Sequence, residues 1–150
     1  RWTGPGIITA ESQAATGNLT TLGIATAAQV KSIAATATAV WSGETVTGSD
    51  VLIMYTYGGD ANLDGKINID DYGRIDLNIP LSTSGWYNGD FNYDGKINID
   101  DYVVIDSNLP LQGAPFDSGS MFSATSVPEP ALMLPLIAGC SSFRRRRRAS

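Results

Sequence analysis

The sequence contains no histidine and only one cysteine, Cys140, among its 150 residues. Histidine is the commonest general base and the commonest protein ligand of zinc, so a catalytic base or a zinc site in this chain would have to use other side chains. A single cysteine cannot form a disulfide within the chain. A nucleophile activated by histidine, a histidine zinc site and a disulfide framework are therefore excluded for this sequence.

Positive charge is nearly absent outside a run of five arginines, Arg144–Arg148. The formal net charge is −5, and the 5 basic and 15 acidic residues outside that run carry −10. Ten of the acidic residues are aspartates between positions 60 and 106, where only three basic side chains oppose them. Such a cluster repels itself unless cations neutralise it. We therefore expect no binding of nucleic acid by the folded part.

The strongest pattern is an internal repeat with a period of 30 residues. The segments DANLDGKINIDD (60–71) and DFNYDGKINIDD (90–101) agree at 10 of 12 positions. The segments that follow them, YGRIDLNIPL and YVVIDSNLPL, agree at 6 of 10. Tandem duplication of one supersecondary unit explains this agreement.

Each copy is predicted to be a loop followed by an amphipathic helix. Apolar residues follow the loop at i, i+3 and i+7, which places them on one helical face. Pro80 and Pro110 are expected to end the helices, and Trp86 and Tyr87 between the copies are expected to be packing residues. The predicted apolar faces consist of Tyr72, Ile75 and Ile79 in the first copy and Tyr102, Ile105 and Leu109 in the second.

Each acidic loop carries oxygen-bearing groups at the spacing that calcium requires. Ca²⁺ takes about 6–8 oxygen ligands, and a twelve-residue loop supplies them from positions 1, 3, 5, 7, 9 and 12, with a glycine at position 6 for the sharp turn. The glycines are Gly65 and Gly95, and Ile67 and Ile97 at position 8 are expected to anchor the loops in the core. The predicted ligands are Asp60, Asn62, Asp64, Lys66 (backbone carbonyl), Asn68 and Asp71 in loop 1, and Asp90, Asn92, Asp94, Lys96 (backbone carbonyl), Asn98 and Asp101 in loop 2.

The alternative for both loops is an ordinary turn, in which Asp, Asn and Gly are common. Two copies in register, each followed by a predicted amphipathic helix, favour metal binding instead. Magnesium is disfavoured because it prefers few protein ligands and retains several waters. We therefore predict two Ca²⁺ ions per chain, and no catalytic residues.

These loops depart from the EF-hand pattern at position 12, which is aspartate instead of the long bidentate glutamate. Val51–Tyr57, which leads into loop 1, also has the composition of a strand and not of an entering helix. Loop–helix units with aspartate at position 12, paired about 30 residues apart, resemble type I dockerin domains. The resemblance covers Gly59 to Leu111 and implies two calcium-loaded F-hands packed face to face.

The resemblance also suggests a protein partner, because cellulosomal dockerins bind cohesin domains. That recognition often uses a Ser/Thr pair at loop positions 10 and 11, where this chain has Ile69–Asp70 and Ile99–Asp100. The predicted outer helix positions also differ between the copies, as with Arg74 against Val104. We therefore expect binding of a standard cohesin to be absent or atypical.

The segment 1–57 is predicted to be β-rich and to end a larger upstream domain, since the chain begins without a methionine. Ala37–Ser42 and Val51–Tyr57 are the candidate strands, whereas Ile24–Ile33 is compatible with either a helix or a strand. Residues 58–112 are assigned to the tandem calcium-binding domain. The predicted fold class is α+β.

The C-terminal part has three segments in a characteristic order. Residues 113–126 are rich in Gly, Ser and Pro and are predicted to be a linker. In 127–150 the motif VPEP precedes an apolar segment, Ala131–Phe143, and then the arginine run. This order resembles a PEP-CTERM sorting signal. The resemblance implies recognition by an exosortase in bacteria with an outer membrane, and removal of the tail during export.

The apolar segment suits a transient membrane anchor. Its length of 13 residues corresponds to about 20 Å of helix, less than the roughly 30 Å hydrocarbon core, and Pro135 interrupts it. The arginines are expected to hold its end on the cytoplasmic side. The alternative is a solvated basic tail or a nucleic-acid patch, although such tails seldom follow an apolar segment after a Pro-rich linker.

Together these features predict a non-catalytic, calcium-binding module at the C-terminal end of an exported cell-surface or extracellular protein. The alternative function is a docking module that binds a cohesin-like receptor and is attached to an upstream carbohydrate-active enzyme. Paired carboxylates could also suggest glycoside hydrolysis, but in this sequence they are already assigned as calcium ligands.

Overall fold

The computed structural model describes residues 2, 5–16 and 18–117, which form a mixed α+β fold. The predicted fold class is confirmed at this level. The helices are α1 (Ser12–Thr16), α2 (Ala27–Lys31), α3 (Ile69–Asn78) and α4 (Ile99–Asn108), the strands are β1 (Thr20–Thr26), β2 (Thr38–Trp41), β3 (Glu44–Thr47) and β4 (Val51–Tyr57), and short 3-10 helices cover Ile79–Leu81, Trp86–Asn88 and Leu109–Leu111.

The strands form two small antiparallel sheets. β1 pairs with β4, with Thr20 opposite Tyr57, and β2 pairs with β3, with Thr38 opposite Thr47. Both strands predicted in this region are present. No helix enters loop 1, because β4 leads into it directly, as its run of strand-forming residues indicated.

The segment Ile24–Ile33, which the sequence pattern left open, is divided between a strand and a helix. β1 ends at Thr26 and α2 begins at Ala27. The change is stabilised by a capping box: the Thr26 hydroxyl accepts from the Gln29 N–H at 3.3 Å, and Gln29 Oε1 accepts from the Thr26 N–H at 2.9 Å. This capping box therefore sets the boundary between β1 and α2, which the spacing of the apolar residues did not indicate.

One face of the β1–β4 sheet packs on the acidic loops. Strand alternation and register place Gly23 and Met54 on that face. The approach at Gly23 is so close that a Cβ added there would lie 2.6 Å from the Leu63 side chain and 2.7 Å from Trp86 Nε1. Residues on both sides of the boundary assigned at 57/58 therefore contribute to one hydrophobic core.

The helices α3 and α4 begin with the same capping box. Asn68 Oδ1 accepts from the Asp70 N–H at 2.7 Å, and Asp71 Oδ2 accepts from the Asn68 N–H at 2.8 Å; residues 98, 100 and 101 repeat both bonds. Each α-helix ends two residues before its proline, as predicted. The chain then continues as one 3-10 turn that contains the proline.

The first two members of each predicted apolar face are buried or half-buried, and Ile75 and Ile105 are 0% exposed. The third members, Ile79 and Leu109, are 42% and 38% exposed, so the far end of each predicted face is only partly covered. Each still donates its backbone N–H to the carbonyl four residues earlier, Ile75 or Ile105, so both stay in α-helical register at the last position before the 3-10 turn, where the other unit covers them less.

The two loop–helix units pack against each other through contacts that repeat when the units are exchanged. Gly59 of the first unit lies against Ile105 of the second, and Gly89 lies against Ile75. A Cβ added at either glycine would approach the isoleucine Cγ1 to 2.8 or 2.7 Å. Because each contact recurs 30 residues along, the units are related by an approximate two-fold axis.

A second reciprocal pair of contacts joins the first half of each of the helices α3 and α4 to the second half of the other. The Tyr72 hydroxyl donates to Asp106 Oδ1 at 2.6 Å, and the Tyr102 hydroxyl donates to Asp76 Oδ1. Burial and the bond to Asp106 raise the pKa of Tyr72 to about 12. The bond to Asp76, with burial, raises the pKa of Tyr102 to about 12. Both phenols therefore keep their protons and remain donors at neutral pH.

The beginning of the segment assigned as a linker is bonded to the folded part. The Gly113 N–H donates to the Tyr57 hydroxyl at 2.9 Å, and that hydroxyl donates to the Ala114 carbonyl at 2.9 Å. The Phe116 ring packs on Tyr55 and Tyr57. Residues 118–150, which include the rest of the predicted linker and the predicted sorting signal, lie outside the described residues. Among the described residues, no helix has the length and apolar character needed to cross a membrane.

Candidate metal centre

Loops 1 and 2 are built by the same set of hydrogen bonds. At position 1, the Asp60 carboxylate accepts from the N–H groups of Asp64 and Gly65 at 3.1 and 2.8 Å. The Asp90 carboxylate accepts from Asp94 and Gly95 at 3.1 and 3.2 Å. Each position 1 carboxylate therefore lies inside the turn and binds two backbone N–H groups of the loop.

Position 12 closes each loop from the start of the following helix. Asp71 Oδ1 accepts from the N–H groups of residues 61 and 62 at 2.9 and 3.3 Å, which ties the helix to the beginning of the loop. Asp101 makes the same bonds to residues 91 and 92 at 2.8 and 3.3 Å. Aspartate is shorter than the glutamate of the EF-hand pattern, and these bonds hold its carboxylate beside the residues that follow position 1.

The remaining predicted side chains also turn their oxygens toward the loop backbone. Asn62 Oδ1 accepts from the Asp64 N–H at 2.9 Å, and Asp64 Oδ1 accepts from the Lys66 N–H at 3.2 Å. Asn92 and Asp94 repeat these bonds at 2.7 and 2.9 Å. At position 9, Asn68 and Asn98 cap the helices. The bonds that the side chains at positions 1, 3, 5, 9 and 12 accept from N–H groups of the loop and of the helix start therefore recur in both copies.

The backbone of both loops passes twice through the left-handed region. At position 4, Leu63 and Tyr93 have φ of 58° and 60°, and at position 6 Gly65 and Gly95 have φ of 87° and 85°. A non-glycine residue at such a φ is strained. Leu63 is buried, and the Tyr93 ring stacks on Trp86, so packing holds both in place.

The anchor predicted at position 8 is buried in loop 1 and half-buried in loop 2. Ile67 is 2% exposed, whereas Ile97 is only partly covered. Loop 1 also receives bonds that sequence reasoning missed: the Thr56 hydroxyl donates to Asp60 Oδ2, and the Trp86 indole N–H donates to the Asp60 carbonyl at 2.6 Å. Trp86 was expected only to pack, and its bond to Asp60 spans 26 residues. Thr56 lies only four residues before Asp60 but belongs to β4, outside the loop pattern.

The carboxylates at positions 1 and 12 are buried, and no basic side chain in the described part of the chain pairs with them. Asp60, Asp71 and Asp101 are 0% exposed, and Asp90 is 2% exposed. The ion pair present among the described residues joins exposed side chains, Lys66 Nζ and Asp64 Oδ2 at 3.9 Å. Burying an ionised carboxylate is costly unless it is paired with a cation or coordinates a metal.

That cost appears as raised pKa values of the carboxyl groups of Asp60, Asp71 and Asp101. Burial, reinforced by the nearby carboxylates of Asp71 and Asp64, raises the pKa of Asp60 to about 7 despite the bond from Thr56. Burial raises the pKa of Asp71 to about 6, although three backbone N–H groups lower it. Burial also raises the pKa of Asp101. A bound cation would remove the penalty that produces these shifts.

Within residues 2, 5–16 and 18–117, no three Asp, Glu, His or Cys side chains are arranged as a set that could hold a metal ion by themselves. The predicted ligand set differs from such a cluster, because half of its members are amide or backbone oxygens. All its donors are oxygens, which suits a hard cation such as Ca²⁺. The predicted residues of each loop are therefore brought together around one turn, but their three carboxylates are not gathered at one point.

No protein-family model, curated protein or solved structure matches this chain. The resemblances to dockerins and to PEP-CTERM signals therefore stay predictions that rest on the quoted motifs. The assignment of the site therefore rests on the chemistry of its own residues. The two loops carry twelve oxygen-bearing groups that could ligate a metal, and each loop contains two buried carboxylates.

Proposed function

We propose that the chain is a non-catalytic module that binds two Ca²⁺ ions, one in each acidic loop. The observation that carries the proposal is the burial of Asp60, Asp71, Asp90 and Asp101 without a Lys or Arg partner among the described residues. Bound calcium would neutralise these carboxylates and hold together segments that otherwise repel each other. In each loop the proposed ligands are the groups at positions 1, 3, 5, 7, 9 and 12.

The same arrangement favours a structural role over catalysis. The buried carboxylates accept bonds from loop and helix N–H groups, so they support the turn. A candidate nucleophile would need a positioned base beside it, and the sequence has no histidine to supply one. We therefore propose that any enzymatic activity of the parent protein resides in another domain.

Titration of the calcium-stripped chain is expected to give two bound calcium ions by isothermal calorimetry. Asp64→Ala and Asp94→Ala should each reduce this to one, because each removes a position 5 carboxylate. These side chains are exposed, so the fold should tolerate their loss, whereas Asp60→Ala and Asp90→Ala also remove buried bonds. Asp106→Ala, outside the loops, serves as the control and should still bind two ions. Fewer than two ions for the wild type, or unchanged stoichiometry in both loop variants, would contradict the proposal.

We further propose that the tail is a PEP-CTERM sorting signal, so that the module is exported and processed by an exosortase. Calcium is plentiful outside the cell, so the two proposals agree on the compartment. The mature protein is expected to end near Val127–Pro130, because the apolar segment is too short for a stable span. Intact-mass measurement of the exported protein checks this, and the presence of Arg144–Arg148 on that form would exclude processing.

A docking role is the second candidate, and the exposed helix surfaces favour it. Ile69 and Ile99 at the helix starts are 80% and 71% exposed, and Leu77 and Val103 are 67% and 56% exposed. Ile69 and Leu77 line one shallow depression on α3, and a contiguous exposed apolar patch is often a contact site for a protein partner. Pull-down with a standard type I cohesin tests this role, and tight binding would overturn the expectation of absent or atypical recognition.

A further inference from the structure

The segment after α4, Gln112–Phe116, which we call the C-terminal strap, binds to loop 1. The Gln112 carboxamide pairs with the backbone of Ile67: its Oε1 accepts from the Ile67 N–H at 2.8 Å, and its Nε2 donates to the Ile67 carbonyl at 2.9 Å. A side-chain amide here makes the two bonds that a neighbouring strand would otherwise make.

The bond to Ile67 fixes a proposed calcium ligand. The Ile67 N–H and the Lys66 carbonyl belong to the same planar, trans peptide group, so they point in opposite directions. When Gln112 holds the N–H on the outer side of the loop, the Lys66 carbonyl at position 7 is directed to the other side. Gln112 is therefore a positioning residue for loop 1, although it lies outside the loop sequence.

The other end of the strap secures the adjacent turn. The Phe116 N–H donates to the Gly65 carbonyl at 2.8 Å, and the Phe116 ring is held by its contacts with Tyr55 and Tyr57. A Cβ added at Gly65 would come within 1.8 Å of the Phe116 carbonyl oxygen. Loop 1 thus cannot open at position 6 without displacing the strap.

Loop 2 has no such cover among the described residues. Gly95, the equivalent of Gly65, has no atom within 4 Å of an added Cβ. No described side chain takes the place of Gln112 at Ile97, which is only half-buried. The two loops therefore share the bonds from their backbone N–H groups to the side chains at positions 1, 3, 5, 9 and 12, but their surroundings at positions 6 and 8 differ.

We propose that the strap makes loop 1 the slowly exchanging calcium site and leaves loop 2 as the rapidly exchanging one. The proposal rests on calcium binding in both loops. Release from loop 1 requires the bonds from Gln112 and Phe116 to break together with the loop, whereas release from loop 2 does not. The module would then hold one ion as a structural element and exchange the other with its surroundings.

Release of calcium into a fluorescent chelator, followed by stopped flow on the full chain, tests the proposal. The wild type is expected to give two phases; Asp94→Ala should retain only the slow phase and Asp64→Ala only the fast one. Gln112→Ala should accelerate the slow phase about tenfold, because it removes two hydrogen bonds, and should leave the fast phase unchanged. Gln112→Glu, which can still accept from the Ile67 N–H, should give an intermediate rate. Leu111→Ala, an exposed change next to the strap, should have no effect.

A matched glycine pair gives an independent measurement. Gly65→Ala and Gly95→Ala place a methyl group at nearly the same positive φ, so both carry similar strain. Gly65→Ala must also displace Phe116, and it should accelerate its own phase at least tenfold more than Gly95→Ala does. Equal acceleration, or one release rate for both ions in the wild type, would overturn the strap proposal alone. Absence of calcium binding would overturn the proposed function and the strap proposal with it.

Discussion

Calcium is expected to reverse the pH dependence of this protein's stability. In the metal-free chain, burial raises the pKa of Asp60 from 3.8 to about 7 and that of Asp71 from 3.8 to about 6. A carboxyl group whose pKa is higher in the folded state favours folding when it is protonated. That contribution is complete below about pH 4 and is lost as the pH rises through about 6 to 7.

The expected effect is large for a small module. One unit of pKa shift corresponds to about 1.4 kcal/mol, so the shift of Asp60 alone amounts to about 4 kcal/mol in the free energy of unfolding between pH 4 and 8. Asp60 is 0% exposed, so solvent screening reduces this little. Repulsion among the other aspartates acts in the same direction, because it grows as they ionise.

With calcium present the sign should change. Calcium binds the ionised carboxylates, so its stabilising effect increases as these groups lose their protons. Urea unfolding at about pH 5 and pH 8, with and without calcium, measures both slopes. The metal-free chain should be more stable at the lower pH and the calcium-loaded chain at the higher pH. Parallel slopes in the two series would show that the buried carboxylates do not bind the ion.

Substitution of the glycines between the units is expected to cause the second large effect. Gly59→Ala and Gly89→Ala should each lower the free energy of unfolding by about 2–5 kcal/mol. Their φ values of 122° and 109° lie where L side chains are strained, and the added methyl groups would overlap Ile105 and Ile75. Because the contacts are reciprocal, the two changes should have similar costs.

Gly73→Ala in α3 is the matched control. No atom lies within 4 Å of a Cβ added there, and alanine is favoured over glycine inside a helix by about 1 kcal/mol. Gly73→Ala should therefore stabilise the chain while the other two changes destabilise it, as measured by urea unfolding in excess calcium. If Gly59→Ala were tolerated as well as Gly73→Ala, the close packing of the two units would be incorrect.

Much of the site was accessible from the sequence because its bonds are local. The capping box of Asn68 and Asp71 joins residues three apart, and the Asp60 carboxylate accepts from groups only four or five residues away, including the Thr56 hydroxyl. Such contacts leave a strict spacing pattern, and the duplication displays that pattern twice. Interactions such as Gln112 with Ile67 span 45 residues and leave no pattern, so they could not be predicted.

By itself, the sequence determined the repeat, the spacing of the oxygen donors, the strand before loop 1 and the position at which proline ends each helix. These features depend on backbone geometry within a few residues, which residue type largely decides. Tertiary structure alone decided that Ile79 and Leu109 stay partly exposed and that the strap lies on loop 1, while no described residue takes its place on loop 2. Those outcomes depend on which distant surfaces meet, so two loops with nearly the same sequence acquire different surroundings.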